Sequence, residues 1–213
     1  MQWTLPINLD TFLDTLKQKI VIEKPSPDKI CELFFPFISD DIKKNKSVII
    51  ALLDILGDLL QNYYSYHSYL LEERFSELIR HAKLSPDTIV DIYYTAHFSS
   101  RYLVITAIPG TTAANFQEFL QKVAFSDLAG LRDRIEAVRR LTSAEAIQSI
   151  IDNERNPREL RQEALKVLAM RFSHREPVIE YLREKAHDKN LMLDVIRAVS
   201  DAMREKGKNW LLL

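Results

Sequence analysis

The sequence predicts an all-α fold, and three observations lead to that prediction. Only 4 glycines occur in 213 residues, whereas a sheet protein of this size needs many glycine-containing turns. Apolar residues recur at the helical period along residues 49–63 and again along residues 160–172. Segments that begin at Ser26, Ser85 and Asn156 each place a capping side chain, a proline and an acid in the order typical of helix starts.

The composition narrows the class of protein further. The chain is 46% hydrophobic and 28% charged, which supports a buried core and argues against disorder. The single cysteine, Cys31, excludes an internal disulfide and a CxxC site. The N-terminus lacks the cationic and apolar segments of a secretory signal, and the most apolar stretch, residues 48–60, is too short to span a bilayer. These features predict a soluble, cytoplasmic protein without a membrane span.

The predicted helices follow one another with short interruptions. Ser26 starts the first helix, residues 49–63 form a long amphipathic helix, and Ser85 starts a third. Residues 102–108 are the only candidate for a strand, but they end at a Pro-Gly pair, and we expect a short buried helix there. In the C-terminal half, helices are expected over residues 131–141, 144–153 and 160–172, with Asn156 capping the last of these.

A motif of two tyrosines and a histidine occurs twice, 30 residues apart, in residues 63–67 and 93–97. A Phe-Phe pair at residues 34–35 precedes it by a similar interval. In the C-terminal half, a shift of 31 residues carries the apolar positions of residues 147–172 onto those of residues 178–203. A fixed period in this range indicates stacked supersecondary units. The sequence therefore predicts a repeat of about 30 residues.

Residues 160–172, LRQEALKVLAMRF, resemble the second helix of a HEAT-type repeat, and residues 131–141 are a weaker relative. Both have an early arginine followed by small and aliphatic residues at helical spacing. The short period is closest to the HEAT-like repeats of bilin lyases and bacterial scaffold proteins. The resemblance covers about residues 127–206 and implies a right-handed α-solenoid of antiparallel helix pairs. We expect HEAT-like repeats in residues 111–213 and, from the tyrosine-histidine motif, N-terminal repeats in residues 1–108. One continuous stack is expected if the break near Pro109 is a loop, and two domains if it is a domain boundary.

The tyrosine-histidine motif has two interpretations. Helical spacing places each histidine on the same face as a tyrosine four residues earlier, for example His97 and Tyr93, so this face is expected to form core or an interface between repeats. Alternatively, the motif lines a pocket for a flat or anionic ligand. The residues of that pocket would be Tyr64, Tyr66, His67, Tyr94 and His97.

Local signatures of catalysis and metal binding are missing from the sequence. There is no HExxH, no glycine-rich phosphate loop and no GxSxG, and Cys31 lies in an apolar segment where a thiol stays protonated. The Glu184-x-x-His187 spacing has no second motif to complete a metal site. We therefore predict no metal, no cofactor and no catalytic residues, which favours a non-catalytic role but leaves an enzyme possible.

Arginine is concentrated in the C-terminal half. Residues 1–126 have a net charge of −3 and residues 127–213 a net charge of +2. One interpretation is a solvated face with local ion pairs, because acids are interspersed among the arginines. The other is a face that binds a partner, since the planar guanidinium group suits hydrogen bonding and stacking. The predicted binding residues are Arg132, Arg139, Arg140, Arg158 and Arg161.

We therefore expect a protein-binding scaffold, adaptor or chaperone-like regulator whose partner is an extended or helical segment. One alternative is an enzyme, or enzyme subunit, that resembles HEAT-like bilin lyases. Another is a nucleic-acid-binding protein similar to HEAT-like DNA glycosylases, which the net charge of −1 argues against. The apolar residues 209–213 would dock onto a partner, onto a second copy, or onto the last helix as a cap. The oligomeric state is left open.

Overall fold

A computed structural model describes residues 46–62, 68–82, 84–108 and 110–206, together with isolated helical positions between residues 11 and 29. Every regular element in these segments is a helix, and none of the described residues forms a strand. The all-α prediction is therefore confirmed for this part of the chain. The predictions for Ser26, Cys31 and the first copy of the tyrosine-histidine motif lie outside the described residues.

The contacts divide the chain into two compact units, Met1–Pro109 and Gly110–Leu213. The described helices of the first unit are α1 (Lys46–Asn62), α2 (Ser68–His81), α3 (Pro86–Thr95) and α4 (Arg101–Thr106). Helix α1 packs against α2 and α3, and α4 packs against the same two helices. Residues 102–105 of α4 are all buried, which confirms the prediction of a short buried helix.

The core of the first unit consists of aliphatic side chains on all four helices. Within the predicted stripe of α1, Ile49, Leu53 and Leu56 are at most 1% exposed. Ile79 of α2 and Ile92 of α3 are buried to the same extent. Helical spacing of apolar residues thus identified the inward face of α1 correctly.

The second unit begins with a 3₁₀ helix (Gly110–Phe116) and continues with six α-helices in the described part of the chain. These are α5 (Gln117–Phe125), α6 (Leu131–Val138), α7 (Ala144–Asp152), α8 (Arg158–Phe172), α9 (Glu176–Ala186) and α10 (Met192–Lys206). Helix α8 is central and packs against α6, α7, α9 and α10. Helix α5 packs against α6 and α7, and α9 packs against α10. Helices α6, α8 and α10 therefore lie in a row, with α8 in contact with both of the others.

Burial in the second unit follows the predicted periodicity closely. The stripe of Leu160, Ala164, Leu168 and Phe172 on α8 is buried along its whole length. The apolar positions of α7 are buried as well. No described helix of either unit is long and apolar enough to cross a membrane.

Two predicted helix caps have different outcomes. Ser85 caps α3 as expected, because its Oγ accepts a hydrogen bond of 3.2 Å from the backbone N–H of Thr88. Asn156 does not cap α8, which begins at Arg158 with Pro157 at the N-cap position. The Asn156 side chain is instead buried and donates Nδ2–H to the carbonyl of Ile150, at 2.8 Å. That prediction was wrong because Oδ1 of Asn156, the atom that would accept a hydrogen bond in a cap, accepts one from Arg134 on α6 instead.

Candidate functional site

Helices α6, α8 and α10 border a groove of about 340 Å³. Helix α8 supplies a run of polar side chains, and α10 supplies a mixture of charged and small residues. The groove is lined by Ile135, Glu159, Gln162, Glu163, Lys166, Asp194, Arg197, Ala198 and Asp201. Its wall therefore contains four carboxylates and two cations, so charges of both signs face the space.

Asp194 is the most buried charged residue of the groove, with 5% of its surface exposed. Its carboxylate accepts two hydrogen bonds of 3.3 Å from Arg158 and one of 2.9 Å from Gln162. Burial alone would raise the pKa of Asp194, but these hydrogen bonds and the charges of Arg158 and Arg197 outweigh it and lower the pKa. Asp194 is therefore a fixed negative charge that connects α10 to α8.

Arg139 makes a second connection, between the end of α6 and α8. Its Nε donates to Glu163 at 2.7 Å, and one terminal nitrogen donates to Glu136 at 2.6 Å. The hydrogen bond with Glu163 is the main reason that the pKa of Arg139 is raised. Arg140 pairs with the other oxygen of Glu136 at 2.7 Å. Glu136 thus accepts from two adjacent arginines and fixes their positions.

The five arginines predicted to bind a partner make different contacts in the structure. Arg132 is exposed on the first turn of α6. Arg139, Arg140 and Arg158 make ion pairs within the second unit. Arg161 is half-buried and donates its Nε–H to a backbone carbonyl. Arg139 and Arg158 border the groove through their pairs with two of its carboxylates, and the predicted binding face stays a prediction.

A buried arginine that the sequence reasoning did not select lies at the centre of another network. Arg134 is 5% exposed and donates Nε–H to the carbonyl of Ala124 at 3.0 Å. A terminal nitrogen donates to Oδ1 of Asn156 at 2.5 Å. Asn156 therefore accepts from α6 while it donates to α7, and the two side chains join three helices.

The groove itself was missed, although α8 carries a signal for it. Glu159, Gln162, Glu163 and Lys166 follow the spacing i, i+3, i+4 and i+7, which places them on one helix face. A polar stripe of this kind opposite an apolar stripe is typical of any exposed helix. Only the packing of α6 and α10 beside α8 turns the stripe into the wall of a groove.

The second copy of the tyrosine-histidine motif lies at the end of α3. That helix ends at Thr95, because Ala96 adopts an extended conformation with φ −65° and ψ 158°. His97 therefore lies beyond the helix, and the prediction that Tyr93 and His97 share a helix face was wrong. Tyr93 is buried with 3% exposed, as expected for a core position.

His97 is held against α1. Its backbone N–H donates to Oδ1 of Asp54 at 2.8 Å, and its Nδ1 accepts from the N–H of Ser99 at 3.3 Å. The ring lies so close to Gly57 that a Cβ at that glycine would come within 2.5 Å of Nδ1. Tyr94 is 55% exposed. The other residues of the predicted pocket, outside the described part of the chain, are Tyr64, Tyr66 and His67.

Among the described residues, no group of three or more His, Cys, Asp or Glu side chains is arranged to hold a metal ion. Glu184 and His187, which have metal-ligand spacing in the sequence, are both exposed. A scan against models of protein families found no match, and neither did searches of curated proteins and of solved structures.

Proposed function

We propose that this protein is a non-catalytic scaffold of HEAT-like repeats that binds an extended or helical segment of another protein. The observation that carries the proposal is the groove between α6, α8 and α10, which three successive second helices build together. Repeat proteins bind their partners on surfaces of this kind, because equivalent helices repeat side by side.

The helix spacing supports a short repeat. Helices α6, α8 and α10 begin at residues 131, 158 and 192, so successive second helices start 27 and 34 residues apart. These intervals bracket the period of about 30 residues seen in the sequence. The connections between successive helices from α5 to α10 are all three to five residues long, which favours antiparallel packing of neighbouring helices.

An arginine in the first turn of the second helix has a physical role in two of the pairs. Arg134 on α6 and Arg161 on α8 each donate Nε–H, at 3.0 Å, to a carbonyl ten residues earlier. Both acceptors lie in the last turn of the preceding helix, where carbonyls lack a partner within the helix. A contact that recurs with the same atoms and the same spacing favours equivalent units.

The charges of the groove indicate the kind of partner. The four carboxylates of the groove repel a polyanion, so nucleic acid is a poor fit. Lys166 and Arg197 provide positive charge in the same wall. A peptide segment with charges of both signs, aligned along α8, matches this pattern best. Protein–protein interfaces use such complementarity mainly for specificity.

The proposal is tested by affinity purification from a native cell extract with quantitative mass spectrometry. The groove variant is Lys166→Ala with Arg197→Ala. A matched control removes one exposed arginine and one exposed lysine from the turns before α8 and α10, by Arg155→Ala with Lys189→Ala. Circular dichroism melting curves establish that each variant is folded before it is used.

We expect a protein that is enriched by the wild type and the control and is lost from the groove variant. A photoreactive amino acid placed at position 166 then tests by cross-linking whether the partner touches the groove. The control position is Ser149, which is exposed on α7 and does not line the groove. Equal recovery with both variants, or nucleic acid as the only enriched component, would contradict the proposal.

A further inference from the structure

A second groove, of about 380 Å³, lies between α9 and α10 and is mainly apolar. Leu182 and Val195 form its floor, each with 3% of its surface exposed. Ile196 stands in its wall with 52% of its surface exposed. The remaining lining consists of Arg183, Ala186, His187, Val199, Ser200 and Met203.

The 31-residue shift seen in the sequence aligns Ile196 with a position that is covered in α8. A shift of 31 residues relates it to Leu165 of α8, which is 0% exposed. The same shift relates Val199 to Leu168, also 0% exposed. Helices α9 and α10 pack against α8, whereas no described helix follows α10. Among the described residues, no further helix covers the face of α10 that carries Ile196.

We propose that the segment Gly207–Leu213 folds back over this groove and covers it. The segment follows α10 directly and lies outside the described residues. Its apolar residues are consecutive: Trp210, Leu211, Leu212 and Leu213. Burying them together with Ile196 and the half-buried residues beside it removes apolar surface of both partners from water.

The covalent geometry permits this contact. A glycine immediately after the last helical residue is the usual means of reversing the chain, because glycine adopts the left-handed conformation without strain. Val195 and Met203 mark the length of the groove on α10, which is about 12 Å at 1.5 Å per residue. Residues 208–213 in extended form reach about 20 Å, so the tryptophan and the leucines can lie along the whole groove.

Tryptophan fluorescence tests the proposal on the full chain. The chain contains 2 tryptophans, Trp3 and Trp210, so Trp3→Phe leaves Trp210 as the only emitter. In that background we introduce Ile196→Glu in the groove. Leu193→Glu is the matched control, because Leu193 is on the same helix with 61% exposed and does not line the groove. Both substitutions are at exposed positions, so the fold is expected to survive, and circular dichroism checks this.

We expect Trp210 to emit at short wavelength and to resist quenching by acrylamide. Ile196→Glu shifts the emission to longer wavelength and increases quenching several-fold, whereas Leu193→Glu leaves both unchanged. Deletion of residues 207–213 increases the binding of an apolar fluorescent dye to the remaining chain. This last measurement reports on the groove even if a point variant is poorly folded.

Three results would overturn the proposal. First, acrylamide could quench Trp210 as readily as a free tryptophan amide, and the emission wavelength could be the same in every variant. The segment would then not occupy the groove. An emission that changes with protein concentration, together with a dimer in light scattering, would assign the groove to a second copy of the chain. Dye binding that does not change on deletion would leave the groove open to another partner.

Discussion

Arg134 and Arg161 make the same hydrogen bond in successive helix pairs. Each donates an Nε–H hydrogen bond of 3.0 Å to the backbone carbonyl of the residue ten positions earlier. The acceptor is Ala124 for Arg134 and Ile151 for Arg161. These carbonyls lie at the ends of α5 and α7, where the helix itself offers no donor. Arg134 therefore completes the end of α5, Arg161 completes the end of α7, and each joins that helix to the one that follows.

Replacement of Arg161 by methionine keeps the apolar stem and removes the donors. We expect the free energy of unfolding to fall by about 1–2 kcal/mol, because the carbonyl of Ile151 loses a charged partner in a half-buried place. Arg155→Met is the control, since Arg155 is exposed in the turn before α8, and the expected change is below about 0.5 kcal/mol. Urea unfolding of both variants measures the difference, and equal losses would show that the contact is not stabilising.

Arg134 is more deeply buried than Arg161, so its replacement is expected to reduce the free energy of unfolding by a larger amount. Arg134→Met removes hydrogen bonds to Ala124 and Asn156 and leaves the Asn156 oxygen unpaired, a loss of about 2–4 kcal/mol. The two side chains act together. Asn156→Ala is therefore expected to lower the free energy of unfolding less in the Arg134→Met variant than in the wild type. A double-mutant cycle measures a coupling of about 1–3 kcal/mol. Strictly additive changes would contradict a shared network.

The fold class and the inward faces of the helices are predictable from the sequence because they depend on local spacing. The stripes on α1 and α8 are buried where the period places them, and Ser85 caps α3 through a residue three positions away. Asn156 shows the limit of local reasoning. Its sequence context is that of a cap, yet Arg134, which is 22 residues distant, determines what its side chain binds.

The candidate site was less predictable than the fold. Arginine content indicated which half of the chain carries a charged surface, but the sequence does not show which arginines are already engaged. Arg139 and Arg158 pair with acids 24 and 36 residues away, so their roles depend on helix packing. The groove likewise requires three helices that lie far apart in the sequence. Long-range packing therefore decides the parts of the site that local patterns leave open.

The lowered pKa of Asp194 predicts how the stability of the protein depends on pH. Its folded pKa is lowered, so its contribution to stability is present above the ordinary value of 3.8 and is lost as the pH falls through the folded pKa. We expect Asp194→Asn to reduce the free energy of unfolding by about 1–2 kcal/mol at pH 7, since Arg158 and Gln162 lose a charged acceptor.

The difference in stability between wild type and Asp194→Asn should begin to narrow below about pH 4, where the carboxylate of the unfolded chain is protonated, and should vanish as the pH falls through the lower pKa of the folded carboxylate. Unfolding curves at several pH values measure this change. Asp127→Asn is the control, because the Asp127 side chain is 95% exposed and its contact with Arg134 is long, at 3.5 Å. An Asp194→Asn effect that is constant from pH 7 to pH 3 would rule out a role for the charge.

Gly57 is in the interior of α1, where alanine normally stabilises a helix by about 0.5–1 kcal/mol relative to glycine. Here we expect the opposite, because a Cβ would lie 2.5 Å from Nδ1 and 3.0 Å from Cβ of His97. His97 is not free to retreat, since its backbone N–H is bonded to Asp54. Gly57→Ala is therefore expected to destabilise the protein by about 1–3 kcal/mol, the usual cost of overpacking.

The second part of this test removes the imidazole ring of His97 by the substitution His97→Ala. In a His97→Ala background the added methyl group has space, so Gly57→Ala should become neutral or stabilising by up to about 1 kcal/mol. Thermal unfolding of the four proteins of this cycle measures the reversal of sign. A loss of stability that is the same with and without the imidazole ring would mean that something other than the contact with His97 requires glycine at position 57. The reversal would establish that His97, which the sequence offered as a pocket residue, helps to pack the end of α3 against α1.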